Sequence, residues 1–371
     1  AGNRTDPASP VLPAKWKPYL EARETTLPEL LKTKGYTTGM VGKWHLGDKD
    51  SIAPWGQGFD YTRMIGKNGL DYYNYSIYLG SYQEEFTDHG TEYMTDKLTG
   101  YAVDFIKQSA KKPFFLYMAY SAPHVFTVPR ADKLKKYFLK YEKFEGKYNP
   151  NYAAMVESLD DGVGVIVQTL KDLGLLENTL IVFTSDNGGL GLDELGPIPT
   201  NMAPLRKWKG HIYEGGTRVP AMVSWAGKIA PGTVSDTYFS SIDYLPTFCE
   251  LTGITAIPEK ADGQSVLSLF LKPGQNAGQP TVQTRPLYWH YPHFSNQLGR
   301  PAGSVRVGDY KLVELYESGT LELYNLKEDI SESNDLSKRM PGKTSELHRM
   351  LKDWRREVNA QMPSQNPQYK P

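Results

Sequence analysis

Apolar residues along the first two thirds of the chain switch repeatedly between a helical and an extended period. Leu27, Leu30 and Leu31 share one face of a predicted helix. Thr26 is its N-cap, Pro28 lies near the first turn, Glu29 stands at capping-box spacing and Gly35 is the stop. Residues 37–41 then read as a strand ending at Gly42. Leu98, Ala102, Phe105 and Ile106 mark a second helix. Residues 114–119 form an uninterrupted apolar run, as expected of a parallel strand buried on both faces. Met155, Leu159, Val163, Ile166, Val167 and Leu170 mark a long amphipathic helix ending near Gly174. Residues 180–184 read as another buried strand, 221–225 as a further short one and 242–251 as a helix. The segment before residue 19 is rich in Pro and polar groups and reads as loop.

Strands alternating with helices predict an α/β fold, a three-layer sandwich around a mostly parallel central sheet. In such sheets ligands bind outside the carboxyl ends of the strands. The texture changes near residue 275. Residues 274–280 are linker-like, and 286–289, 304–307, 310–315 and 321–324 are short alternating segments with Gly308-Asp309 and Ser318-Gly319 as turns. They predict a small antiparallel sheet, with a covering helix marked by Leu347, Leu351 and Trp354 and a Pro- and Asn-rich tail over 361–371. The expected organisation is thus an α/β domain over 1–275 and a small α+β subdomain over 276–371.

Lys plus Arg number 42 and Asp plus Glu number 42. No net field therefore gathers nucleic acid or an anionic membrane, and an anionic substrate must be held by a few local cations. No apolar run reaches bilayer length, so no membrane span is predicted. The 25 Tyr and 7 Trp serve either packing or a surface on which sugar C–H faces stack. The single cysteine, Cys249, sits on the apolar side of the 242–251 pattern and reads as a buried thiol. No secretory signal is visible. The chain opens with Ala1, however, so a processed or removed leader is expected to be invisible here.

Four polar clusters follow predicted strands. Gly42-Lys43-Trp44-His45-Leu46-Gly47 places Lys43 and His45 on one side of an extended segment, which suits an anion, although a solvated Lys and a structural His fit the same pattern. His124, in Ala122-Pro123-His124, is a catalyst or a structural histidine. Asp186 and Asn187, in Ser185-Asp186-Asn187-Gly188-Gly189, offer oxygens that a hard cation such as calcium takes, or else an Asx turn closed by glycine. Lys209 opens a glycine-rich stretch through Pro220, where the backbone can approach a ligand closely.

The combination and order of these clusters resemble the signature of the formylglycine-dependent type I sulfatases, of the alkaline phosphatase superfamily. The run is Gly-Lys-Trp-His-Leu-Gly, Ala-Pro-His, Ser-Asp-Asn-Gly-Gly and Lys-Gly-x-x-Tyr-Glu-Gly-Gly-x-Arg-Val-Pro. The segments 152–164, 241–247 and 262–265 agree as well, so the resemblance runs from about residue 25 to the C-terminus. One departure is plain. The family's metal-binding aspartate pair and its Cys-x-Pro-Ser-Arg motif, whose cysteine becomes formylglycine, are not in this sequence, and Cys249 stands in Phe-Cys-Glu-Leu instead.

The resemblance implies an alkaline phosphatase-like fold and hydrolysis of a sulfate ester by a formylglycine nucleophile. It implies that Lys43 and Lys209 hold sulfate oxygens, that His45 contacts the nucleophile and helps release sulfate, and that His124 is the general acid. Asp186 and Asn187 would contribute to one calcium site, incomplete in this sequence. The segment 289–294 with Arg300 resembles bacterial polysaccharide sulfatases. His290, His293 and Arg300 then either read a sulfated galactose or N-acetylgalactosamine or pack the small sheet. A periplasmic or secreted location goes with the family. Two rivals remain: a phosphatase or phosphodiesterase of the same superfamily, which would hold two metals, and a sulfated-glycan binding protein without turnover.

Overall fold

A computed structural model describes residues 6, 8–66, 71–143, 148–193, 198–271 and 285–369. In chain order its strands and helices are β1 Val11–Leu12, α1 Leu27–Lys32, β2 Thr37–Gly42, β3 Tyr61–Ile65, β4 Asn74–Tyr78, β5 Glu85–His89, α2 Met94–Ser109, β6 Phe114–Ala119, α3 Ala131–Lys143 and α4 Pro150–Asp172. Then follow β7 Ile181–Thr184, α5 Glu214–Thr217, β8 Ala221–Ser224, α6 Tyr244–Thr252, α7 Leu267–Leu271, β9 Leu287–Tyr291, β10 Ala302–Val307, β11 Tyr310–Leu315, β12 Thr320–Asn325, α8 Pro341–Glu357 and β13 Ser364–Gln365. The linker expected at 274–280 lies outside the described residues. The chain divides into two compact units, one of Lys17–Ile181 with Val223–Asn276, the other of Ala1–Trp16, Val182–Met222 and Ala277–Pro371.

The first unit is built on a five-stranded sheet in the order β5-β4-β3-β2-β6. β3, β2 and β6 run parallel, whereas β3–β4 and β4–β5 are antiparallel, so the sheet is mixed. Helix α1 begins as its sequence suggests: the Glu29 carboxylate accepts from the Thr26 backbone N–H at 2.7 Å and from its hydroxyl at 2.9 Å. The apolar stripe of α2 (Leu98, Ala102, Phe105, Ile106) is buried, and α4 buries Met155 and Leu170. Val41, Tyr72, Tyr75, Ile77, Met94, Leu98 and Met155 form one core cluster. Cys249 lies in another with Leu30, Leu31 and Ile254, and its burial pushes the thiol pKa up.

Two strands depart from expectation. The run at β6 predicted burial on both faces, yet β6 ends the order of the described sheet and its side chains are half-buried, with Tyr117 47% exposed. β7 is also only half-buried, with Thr184 exposed, and pairs with β8 in a two-stranded sheet. A strand with one neighbour leaves part of each face uncovered, which hydrophobicity alone does not reveal. The antiparallel run β3–β5 and helix α3 carry no apolar run that marks them in the sequence. β4 buries Tyr75 and Tyr78 beside Ile77, and just before it the buried Tyr72 donates its hydroxyl to the His124 carbonyl at 3.1 Å.

In the second unit the predicted C-terminal sheet is present as β12-β11-β10-β9, antiparallel throughout. Its period-2 alternation sends residues to two faces. Val305, Leu312 and Leu323 pack against Leu347 and Leu351 of α8, while Ala302, Val313 and Tyr324 pack against Ile212 and Tyr213. The 206–217 segment is therefore seated on the face opposite α8.

Candidate active site

In the first unit, β2 and β6 are adjacent and parallel, with Gly42 opposite Ala119. The two predicted clusters leave the sheet at the same carboxyl end, and the Lys43 N–H donates to the Ala119 carbonyl at 2.7 Å. Gly42 is required there. Its φ is +120°, and a Cβ would stand 1.9 Å from the Ala119 oxygen. Beyond it the Trp44 indole donates to the Ile52 carbonyl at 3.0 Å, which orients the segment between Lys43, half-buried, and His45, exposed. His124 is half-buried. Its backbone N–H donates to Ser121 O at 2.9 Å, and its Nδ1 lies 2.6 Å from the Val125 carbonyl. A carbonyl only accepts, so Nδ1 carries a proton toward it.

In the second unit two backbone bonds tie the clusters after β7 and before α5. The Gly188 N–H donates to the Gly216 carbonyl at 3.1 Å, and the Lys209 N–H to the Gly189 carbonyl at 2.9 Å. The approach is close: a Cβ on Gly188 would lie 1.8 Å from the Gly215 oxygen. Asp186 is exposed, and the Asn187 amide nitrogen donates to the Gly188 carbonyl at 2.9 Å. Lys209 is half-buried. Nearby His211 is kept neutral: burial, then Lys207, hold its pKa down to about 4.

Beneath this loop lies an ionic cluster that motif reading missed. Lys311 is fully buried between Glu214, at 2.8 Å, and Glu332, at 3.1 Å. Glu332 also accepts from the Glu214 backbone N–H at 2.7 Å, and Arg218 pairs with Glu214 at 2.7 Å. Burial pushes the Glu214 carboxyl up, but Lys311 and Arg218 outweigh it and hold its pKa at about 2. Glu332 is raised, because burial exceeds what Lys311 returns. The Arg206 guanidinium stacks 4.0 Å from the Tyr213 ring and donates to the Tyr324 hydroxyl and the Glu332 carbonyl, at 2.6 and 3.0 Å. Together these contacts lock the segment carrying Lys209 onto β11 and β12. The available signal was Lys311 itself, a lysine on the face of β11 that otherwise carries Val313 and Leu315.

The residues considered for a sugar subsite are engaged within the second unit. His290 on β9 has its Nδ1 2.7 Å from the Tyr316 hydroxyl and its Nε2 2.9 Å from the Gln361 carbonyl, so Nε2 donates and Nδ1 accepts. Arg300 pairs with Glu317 and, at 2.7 Å, with Asp6, and lies 5.0 Å from the Phe294 ring centroid. His293 packs edge-on to Tyr291, with Nδ1 buried and unbonded; burial lowers its pKa. Among the described residues no three His, Cys, Asp or Glu side chains gather as a metal site. Calcium takes six to eight oxygens; Asp186 and Asn187 alone do not make that shell. No helix among the described residues is long and apolar enough to cross a membrane.

Comparison with known proteins matches two family descriptions: Sulfatase over residues 3–254, and N-sulphoglucosamine sulphohydrolase, C-terminal, over residues 207–361. A protein named Sulfatase from Formosa agariphila is 30% identical over 95% of this chain and 73% of its own length. The N-acetylgalactosamine-6-sulfatase of Mus musculus is 31% identical over 78% of this chain, which spans 54% of that relative. Among solved structures, Ps i-CgsB in complex with k-i-k-neocarrahexaose superposes with a TM-score of 0.76 at 27% identity, covering 94% of this chain and 77% of the other. With matched strands, matched motifs and a family description spanning more than half its length, the chain belongs to the sulfatase family.

Proposed function

We propose that this chain serves the hydrolysis of a sulfate ester on a carbohydrate, with a galactose or N-acetylgalactosamine unit favoured. The observation that carries the reading is the exit of Lys43-Trp44-His45 and His124 from the carboxyl ends of two neighbouring parallel strands, tied by the Lys43 to Ala119 bond. The N-acetylgalactosamine-6-sulfatase relatives and the carbohydrate-bound structural neighbour support the substrate class.

In this reading Lys43 and Lys209 hold sulfate oxygens and offset the charge that builds in the transition state. His124 delivers a proton from Nε2 to the departing sugar oxygen, while its Nδ1 bond to Val125 keeps the ring oriented. His45 takes and returns the proton at the nucleophile's side. A formylglycine, when present, supplies the attacking oxygen. Cys249 does not supply it, being buried in α6 outside any Cys-x-Pro-Ser-Arg context. Asp186 and Asn187 would give two oxygens to a calcium whose other donors are not among these residues, and no step is assigned to it. Export to the periplasm or beyond goes with this reading.

The test is binding first, turnover second. N-acetylgalactosamine 6-sulfate titrated calorimetrically should bind, and Lys43→Ala and Lys209→Ala should each weaken it at least about tenfold, or ~1.4 kcal/mol. The unsulfated sugar should not bind. Wild-type affinity in both variants would overturn the site. Sulfate release by this chain alone would overturn the account of the nucleophile.

A further inference from the structure

A groove in the second unit runs along the exposed side of α8. Arg349, Lys352 and Arg356 line it at i, i+3 and i+7, and all three are exposed. At 3.6 residues per turn they fall within about 60° of one another and span about 10 Å of helix. The opposite side of α8 is fixed: Leu347 and Leu351 are fully buried, and Trp354 stacks on Tyr288 with centroids 4.7 Å apart and planes 2° from parallel. The stripe is therefore held as a rigid row.

Its charge is only partly offset. Arg355 also lines the groove but is bonded to Glu314 at 2.8 Å, and Asp353 pairs with Arg356. Among the described residues neither Arg349 nor Lys352 pairs with a carboxylate. The chain as a whole has no net charge, so this row is a local concentration of cations. Met362 and Ala360, just past the helix, add apolar surface to the groove.

We propose that this groove binds a stretch of sulfated polysaccharide through its sulfate groups. Guanidinium forks match the oxygens of a sulfate half-ester, and the ester stays ionised across physiological pH, so the contact is not gated by protons. A linear row of cations a disaccharide or so in length fits a polymer with repeated anions. Family membership favours a sulfated glycan over other polyanions. A nucleic acid is the weaker candidate, because no aromatic ring lines the groove for base stacking and no wider positive field supports it. Holding the polymer here raises its local concentration for whatever site acts on it. The proposal stands on α8 and does not depend on the roles of Lys43 or Lys209.

The experiment is affinity electrophoresis of the whole chain through gels containing chondroitin 6-sulfate, chemically desulfated chondroitin or double-stranded DNA. Wild type should be retarded by the sulfated polymer and much less by the other two. The triple variant Arg349→Ala/Lys352→Ala/Arg356→Ala should lose at least tenfold in affinity with an unchanged circular dichroism spectrum. Arg349→Lys/Arg356→Lys should keep most of the binding, and the triple variant, with Lys43 and Lys209 intact, should bind monomeric N-acetylgalactosamine 6-sulfate like wild type. Undiminished retardation of the triple variant, equal retardation by desulfated chondroitin or preference for DNA would each overturn the proposal. Retardation lost in Lys209→Ala while the triple variant keeps it would place the polymer at the proposed catalytic cations and overturn it too.

Discussion

Replacing Lys311 by Met keeps an unbranched stem in place and removes only the ammonium between Glu214 and Glu332. Glu214 retains Arg218 at 2.7 Å, whereas Glu332, fully buried in its side chain, is left with the Glu214 backbone N–H at 2.7 Å. Breaking a buried pair from one side costs about 3–5 kcal/mol, a large part of the ~5–15 kcal/mol that holds a typical protein folded. The cost should depend on pH with a definite sign. A carboxyl whose folded pKa is raised above its unfolded value gains stability as pH falls, because the folded state takes up the proton first. Glu332 is already raised by burial, and losing Lys311 raises it further. Glu214, held at about 2, contributes stability that is present above its ordinary value of 4.5 and lost only as pH drops toward 2. Between pH 7 and pH 5 the Glu332 effect therefore dominates, and the Lys311→Met deficit should shrink. Urea unfolding followed by tryptophan fluorescence is suited to this, since the Trp289 ring lies 5.9 Å from the Lys311 ammonium. Adding Glu332→Gln should recover at least half of the loss at pH 7 and flatten its pH dependence. A deficit under about 1 kcal/mol, or one equal at both pH values, would refute the uncompensated-charge reasoning.

Two further outcomes are expected from local geometry. Gly42→Ala meets both a positive φ and the Ala119 carbonyl, so it should cost about 3 kcal/mol or more in the same unfolding assay; a change within 1 kcal/mol would show that the strand ends relax freely. Cys249 should resist aromatic disulfide reagents at pH 8 until urea unfolds the chain, because its thiol is buried and its pKa raised. Native-state reaction at the unfolded rate would contradict that packing.

Much of the fold was legible in the linear pattern. The capping residues around Thr26, the apolar stripes of α2 and α4, the extent of β6 and the C-terminal antiparallel strands all follow from local periodicity and turn chemistry. Those signals depend on residues within a few positions of each other. The motifs that placed Lys43, His45, His124, Asp186 and Asn187 after strands, and Lys209 in a glycine-rich stretch before one, were legible for the same reason, as short runs of characteristic residues.

What the pattern alone did not decide involves partners distant in sequence. It did not show that the segments at 74–78 and 85–89 extend the sheet antiparallel, since burial of a tyrosine depends on what receives its hydroxyl. Nor did it show that β6 ends the described sheet, since an apolar run is the same whether one neighbour covers it or two. The engagement of His290 with Tyr316 and Gln361, and of Arg300 with Glu317 and Asp6, was equally hidden. Lys311 makes the point most clearly: the chain sets its inward direction through the period of two, but Glu214 lies 97 residues away. Only folding brings that carboxylate, and Glu332 with it, to a lysine whose ammonium would otherwise be buried without a partner.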